Sequence, residues 1–393
     1  MNLTAIQLPE EQRAGRSLGS LLTFDPLLLV AALGLVGCSL ITLKGAAGTY
    51  YMERQAAYSG IGLVLALVIS RFDYTRLREY RYGLYALMIV SNLVVYAIPA
   101  PTGTGAQRWI PLPFIQVQPS EFGKILMIVA LAAFVVDRSR ALYERRTTAR
   151  IMLLALVGSM IVIGQPDLGT GMVYVVVAVS VLFFAGVSWK QLTALAALFV
   201  TAGVLVLAVA PAVGVNVLKG YQKQRLTTFI NPPRVCTQLD PTCYQLNQSL
   251  IAIGSGQKTG RGVSGATQTK FKFIPEAQDD FIFAVVGETY GFVGVALVLS
   301  LYALLIWRTL RILTMAKNLF GTLIAGGILA MLMFQVFVNV GMTIGVMPVT
   351  GVPLPLLSYG GSSVLVTFIS IGLLQSIYAQ GRASAAGKAR VML

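Results

Sequence analysis

The chain has 393 residues, 56% of them hydrophobic and only 11% charged, with 30 lysines and arginines against 15 acidic residues. A soluble domain carries about 25% charged residues, so a mean hydropathy of +0.75 excludes an ordinary soluble enzyme. The formal charge of +15 is concentrated in loops between apolar runs, where it reads as a membrane-topology signal rather than a nucleic-acid surface. Histidine is absent. Any general base is therefore Asp, Glu, Lys or Tyr, and a zinc site lacks its usual nitrogen ligand, which leaves only oxygen-coordinated ions such as Mg²⁺ or Mn²⁺ open. No other cofactor is indicated.

A bilayer span needs about 20 mainly apolar residues. The sequence offers about ten such runs, roughly 25–43, 54–71, 80–98, 119–137, 148–165, 168–187, 189–212, 281–307, 318–346 and 356–379. The expected fold is an all-α polytopic membrane protein, one domain over 25–379 between an N-terminal segment 1–24 and a tail 380–393. Basic residues gather near Arg71–Arg81, Arg138–Arg150, Lys190, Arg308–Lys317 and Arg382–Arg390, in alternate loops and at the C-terminus. The positive-inside rule then places both termini in the cytoplasm, and the long loop 213–280 between the seventh and eighth spans outside. That loop holds eight lysines and arginines, but a loop of this length crosses largely regardless of charge. It also holds Cys236 and Cys243, which an oxidising compartment permits to bridge, two free thiols being the alternative. Cys38 sits deep in the first run and reads as a buried thiol. The stretch 244–256 reads as a half-buried helix, and the Gly-rich residues that follow permit sharp bends.

The unusual sequence collects on the expected outer face. Arg108 and Trp109 stand in a Pro-rich loop; the tryptophan suits a membrane interface, and the guanidinium suits a diphosphate. Pro119 opens the fourth span, with Glu121 and Lys124 on one helix face, either as a local ion pair or as a site inside the membrane. Asp167 follows Pro166 at the start of the sixth span, where capping and a site role compete. Arg225 and Lys270 belong to the long loop, whose cations favour an anionic lipid-linked substrate. Asp279 and Asp280 stand side by side at the mouth of the eighth span; helix geometry there would turn only one of them into a cavity. Glu288 lies about two turns further in and needs a partner, beside a stripe of Ala284, Gly287, Gly291 and Gly294 suited to close helix packing. Ser358 belongs to "SYGGSS", a turn with hydroxyl donors.

Taken together, "RWIPLPFIQVQPSEFGK" (108–124), "GQPDLGTG" (164–171), "RLTTFINP" (225–232), "YQLNQSLIAIGSG" (244–256), "FIPEAQDDFIFAVVGE" (273–288) and "GVMPVTGVPLPLLSYGGSS" (345–363) resemble the SEDS family. The likeness runs from about Asp25 to Tyr378 and is closer to the elongation (RodA) type than to the division type. It implies a multi-pass protein of the bacterial inner (cytoplasmic) membrane with its active site outside. Such a protein would polymerise lipid II into β-1,4-linked glycan, displacing undecaprenyl diphosphate with inversion. Its implied partners are a class B penicillin-binding transpeptidase and other elongation-complex membrane proteins. The family usually reads His-Thr-Asp before Phe-Ile-Phe, which puts the functional aspartate at Asp280, with Gln278 and Asp279 in place of the His and Thr. The inserted "PPRVCTQLDPTC" (232–243) also departs from the pattern. A flippase for the same lipid and a non-catalytic scaffold are the competing expectations. The flippase is disfavoured because alternating access expects a midplane site, whereas the unusual residues crowd one face.

Overall fold

The computed structural model describes residues 24–98, 108–111, 116–142, 144–204, 225, 229, 241–275 and 277–391. Within these, helices follow one another as α1 (Pro26–Ala46), α2 (Thr49–Arg71), α3 (Arg81–Val94), α4 (Pro119–Asp137), α5 (Arg145–Gly164), α6 (Leu168–Phe184) and α7 (Trp189–Val204). After the long loop's first part come α8 (Pro241–Gly256) and the single turns α9 (Gly262–Gly265) and α10 (Thr267–Lys270), then α11 (Ile282–Met315), α12 (Leu319–Thr343) and α13 (Gly361–Val391). In a bilayer each segment must satisfy its own backbone, so apolar runs fold as helices. Among the described residues, α1, α2, α4, α5, α11, α12 and α13 are long and apolar enough to span, and Arg81–Ala97 and α6 are shorter apolar helices. The run expected at 189–212 is helical to Val204; its remainder, the segment 1–23 and most of the loop 205–240 lie outside the described residues.

Side chains set the boundaries. Asp25 caps α1 by accepting from the Leu28 N–H at 3.1 Å, with Pro26 in the first turn, where a missing N–H costs nothing. Asn318 caps α12 through the Gly321 N–H at 2.9 Å. Three boundaries differ from expectation. α2 begins at Thr49, so the polar, aromatic turn Tyr50–Arg54 is helical. α13 begins only at Gly361 and continues through the expected tail to Val391. α11 runs to Met315, yet is broken at Gly291, where φ is +62°. Only glycine adopts this backbone cheaply. The donors freed by the break, the N–H groups of Phe292 and Val293, go to the carbonyls of Gln257 and Lys258 at 2.9 and 3.2 Å. What reads as a packing stripe is thus a kink threaded by the loop after α8.

α2 packs along α13, α3 along α4, α1 and α8 along α11, and α5 against α6, while α12 meets α4, α6 and α11. α4, α12 and α13 lie mostly inside the protein, whereas α2 and α11 turn most of their surface outward. Their exposed faces carry Ile61, Val64, Val68, Val293 and Leu297, as expected of sides that meet lipid. A short antiparallel pair, β1 (Ile110–Pro111) and β2 (Gln116–Val117), is the departure from all-α among the described residues. It folds the Pro-rich loop back and delivers the chain to α4.

Candidate active site

The first turns of α2, α4, α6 and α13, the β1–β2 pair, and the turns before α11 and α13 enclose a cavity of about 480 Å³ at one end of the bundle. Asp279 and Asp280 both line it, each half-buried. The expectation that helix geometry turns one of them away fails, because residues 277–281 form a turn and α11 starts only at Ile282. Neighbouring elements hold this turn. The Gln278 carbonyl accepts from the Tyr359 N–H at 2.9 Å. Asn339 of α12, fully buried, donates its Nδ2 both to the Asp280 carbonyl at 2.9 Å and to the Val352 carbonyl at 2.7 Å. Gly351 has φ +75°, and a Cβ there would lie 3.2 Å from Asp280 Oδ2 and 3.8 Å from Arg225 Nη1. The carboxylate of Asp280 and the guanidinium of Arg225 therefore flank the same point of backbone.

A second wall is built from α4 and α6. Asp167 caps α6 by accepting from the Thr170 N–H at 3.1 Å, and its other oxygen accepts from Gln118 Nε2 at 3.0 Å. Capping and cavity lining thus coincide in one residue. Arg108 donates to the carbonyls of Gln165 and Pro166, closing the C-terminal end of α5, and both it and the half-buried Trp109 line the cavity. Glu121 lines the cavity, while Lys124 stands behind it, 2.7 Å away in an ion pair whose side chains are 1% and 3% exposed. Lys124 itself is not part of the lining. One Glu121 oxygen is paired with Lys124, its other oxygen is buried with no hydrogen-bond partner among the described residues, and both Asp167 oxygens accept hydrogen bonds. Among the described residues no group of three metal-ligating side chains gathers.

Two candidates fall elsewhere. Ser358 is buried, its Oγ accepting from the Leu354 N–H at 2.9 Å and its carbonyl from Gln55 Nε2 at 3.0 Å; it shapes the turn, and Ser362 and Ser363 line the cavity instead. Lys270 ends α10 as an exposed side chain outside the lining. Glu288, fully buried, finds its partners in the Gln268 N–H and in the N–H and hydroxyl of Thr269, at 2.8, 2.9 and 2.6 Å. It ties α10 to α11. Cys243 is buried and disulfide-bonded, and Cys38 is a free thiol; Cys236 lies outside the described residues, as does the rest of the insertion up to Asp240.

Sequence reasoning missed a tyrosine-rich wall formed by Tyr50, Tyr51, Arg54, Tyr58 and Tyr359, and it missed Asn339. The first was legible as a polar face at 3–4 spacing in "TYYMERQAAYSG" (49–60). The second had no local signal.

An all-helical membrane protein of many passes, with a polar cavity of carboxylates and arginines at one end of its bundle, is the class that this fold and site define. The FtsW/RodA/SpoVE family model, described as cell cycle protein, matches residues 19–383, and the chain belongs to this family. It is 37% identical over 358 residues to the peptidoglycan glycosyltransferase MrdB of Escherichia coli K12, covering 90% of this chain and 93% of the relative. Among solved structures it resembles a chain of a peptidoglycan synthase complex described as coordinating polymerization and crosslinking, with TM-score 0.75, 31% identity and coverage of 92% and 99%. It also resembles the rod shape determining protein RodA of Thermus thermophilus, with TM-score 0.64, 29% identity and coverage of 91% and 97%.

Proposed function

We propose that this chain is an elongation-type peptidoglycan glycosyltransferase that polymerises lipid II on the outer side of the bacterial inner membrane, with Asp280 as the general base. The observation that carries the reading is the turn 277–281. It presents a carboxylate to a polar cavity large enough for a sugar, beside a guanidinium, with its backbone fixed by Asn339 and Tyr359. The names of its relatives agree.

The donor is a glycan α-linked to undecaprenyl diphosphate, and the acceptor is the 4-hydroxyl of a second lipid-linked sugar. Asp280 takes the hydroxyl proton as the acceptor oxygen bonds to the anomeric carbon. The bond from that carbon to the diphosphate breaks, and its electron pair leaves with the diphosphate. A single displacement inverts the centre and gives the β-1,4 link. The base must lie about 2.6–3.2 Å from the hydroxyl, and cations stabilise the negative charge that develops on the departing group. Arg108, which lines the cavity, and Arg225, which flanks Gly351 beside Asp280, are assigned that role, and Lys124 acts through Glu121 as a positioning residue.

Basic residues near Arg78, Arg145 and Arg308 fall at helix ends remote from the cavity, which supports an outward-facing site. The likeness to a chain of a synthase complex supports a class B penicillin-binding transpeptidase and further elongation proteins as partners. The test is gel-resolved glycan synthesis from lipid II by the purified chain together with its transpeptidase. Polymer from the wild type and none from Asp280→Asn is expected; equal polymer from both removes the assignment.

A further inference from the structure

The end of the bundle remote from the cavity carries more positive charge than its ion pairs absorb. Asp137, which closes α4, is held by Arg78 at 2.7 Å and by Arg81 at 2.8 Å. The chain then places five arginines, at 138, 140, 145, 146 and 150, against one acid, Glu144. All of these arginines are exposed, and none has an acidic partner among the described residues. Membrane topology by itself asks only for cations in the loops at this end. Their arrangement along α5 goes further.

Arg146, Arg150, Leu153, Val157 and Met160 follow one another at helical spacing and so share one face of α5, and every one of them is exposed. Along its length this face changes from guanidinium to hydrocarbon. At about 1.5 Å per residue, the stretch from Arg150 to Met160 covers about 15 Å. That is the depth of one leaflet of a hydrocarbon core about 30 Å thick. The Thr148 hydroxyl donates to Gln191 Oε1 at 3.2 Å, tying the start of α7 to the first turns of α5. Trp189, the first residue of α7 and 72% exposed, is thereby set at the arginine end of α5. An exposed tryptophan at a helix end marks the headgroup level. On the α3 side, Tyr85 and Tyr96 donate to the carbonyls of Leu154 and Ile161 at 2.9 and 2.7 Å, so α5 is held in place while its arginine-to-apolar face stays open.

We infer that this face of α5 binds an anionic phospholipid, with its phosphodiester on Arg146 and Arg150 and an acyl chain along Leu153, Val157 and Met160. The planar fork of a guanidinium matches paired phosphate oxygens, where a lysine offers only a point charge. Charge selects the headgroup. A zwitterionic lipid brings its own cation to the arginines, whereas an anionic lipid brings none. Arg138 and Arg140, from the turn that joins α4 to α5, add to the attraction. Basic residues between helices recur as sites for anionic headgroups. The site lies at the opposite end of the bundle from Asp280, so the inference does not depend on the reading of the cavity.

The experiment titrates the purified full chain in neutral detergent with phosphatidylglycerol or phosphatidylcholine of the same acyl chains, and counts retained lipid by native mass spectrometry. Phosphatidylglycerol is expected to be held more tightly by about tenfold or more, since each cation near the surface contributes about fivefold. Arg146→Gln/Arg150→Gln, checked for unchanged melting without lipid, is expected to lose about tenfold in that binding and none in phosphatidylcholine binding. Arg146→Lys/Arg150→Lys should lose less. Arg311→Gln/Arg382→Gln removes two exposed cations elsewhere at the same end and is expected to bind as the wild type does. An equal loss in that variant would reduce the site to diffuse charge and overturn the inference. So would equal binding of the two lipids, or wild-type binding by Arg146→Gln/Arg150→Gln. Displacement of phosphatidylglycerol by soluble polyglutamate would overturn it in favour of an acidic protein segment as the occupant.

Discussion

Asp280 is aimed by its neighbours rather than by its own helix. Its carbonyl is held by Asn339 and its carboxylate by the space that Gly351 leaves open. Asp280→Asn is therefore expected to abolish polymerisation while melting as the wild type does. Asp279→Asn should keep substantial activity even though Asp279 also lines the cavity; loss confined to Asp279→Asn would move the base one residue back. Asn339 gives a second prediction at this scale. Asn339→Leu leaves the buried Val352 carbonyl and the part-buried Asp280 carbonyl without their donor, a cost of about 1–3 kcal/mol for the buried one. It should lower kcat by more than about tenfold with KM for lipid II nearly unchanged, because misplacing a base costs rate rather than binding. A KM rise with unaltered kcat would show that Asn339 shapes the cavity without aiming the base. The Asp279–Asp280 pair was legible in sequence because two carboxylates at a span entrance are costly and rare. Asn339 was not, since a lone asparagine inside an apolar run reveals neither its direction nor its partner.

At the scale of elements, the join between α8, α10 and α11 decides how the long loop is seated. Gly256, Gly260 and Gly291 bring backbones into direct contact, so that a Cβ on any of them meets main-chain atoms rather than a yielding side chain. Gly291→Ala also forces a left-handed residue, worth about 1–3 kcal/mol. The expected result is a lower melting temperature in detergent and faster proteolysis after α8; an unchanged melt would mean that the break relaxes into straight helix. Glu288 complements the kink, accepting three hydrogen bonds from residues 268 and 269. The same loop gives the disulfide prediction. Cys243, buried and disulfide-bonded, is proposed to pair with Cys236, which closes a short loop for about 2–3 kcal/mol at best. Mass spectrometry of unreduced peptides should find the two cysteines linked, and two alkylatable thiols in protein isolated without reductant would reject the pairing.

Over the whole molecule, charge and polarity separate by end. Asp25 pairs with Arg308, and Asp137 with Arg78 and Arg81, at the end remote from the cavity. The Asp137 pairs are partly exposed, so they contribute little to stability; their weight lies in topology. A cysteine probe at position 145 in intact cells should resist a membrane-impermeant reagent applied outside, while a probe in the loop near position 261 should react. Modification at 145 would invert the orientation and with it the outward-facing site.

Hydropathy alone determined that this chain crosses the membrane many times as helices and that its basic loops lie on one side. In a bilayer each segment must close its own hydrogen bonds, so the outcome is local and can be read locally. The SEDS-like motifs likewise single out Asp280, Asp167, Glu121 and Arg108 by residue type and order alone, and all of them line one cavity. Only the tertiary structure decided that Ser358 and Lys270 stand outside it, that Asp279 and Arg54 line it, and that Asn339 holds the turn of Asp280. Those outcomes rest on contacts between distant parts of the chain, such as Gln55 with Ser358, 303 residues apart, and Asn339 with Asp280, 59 apart. Helix packing sets such contacts, and no local pattern of residues encodes them.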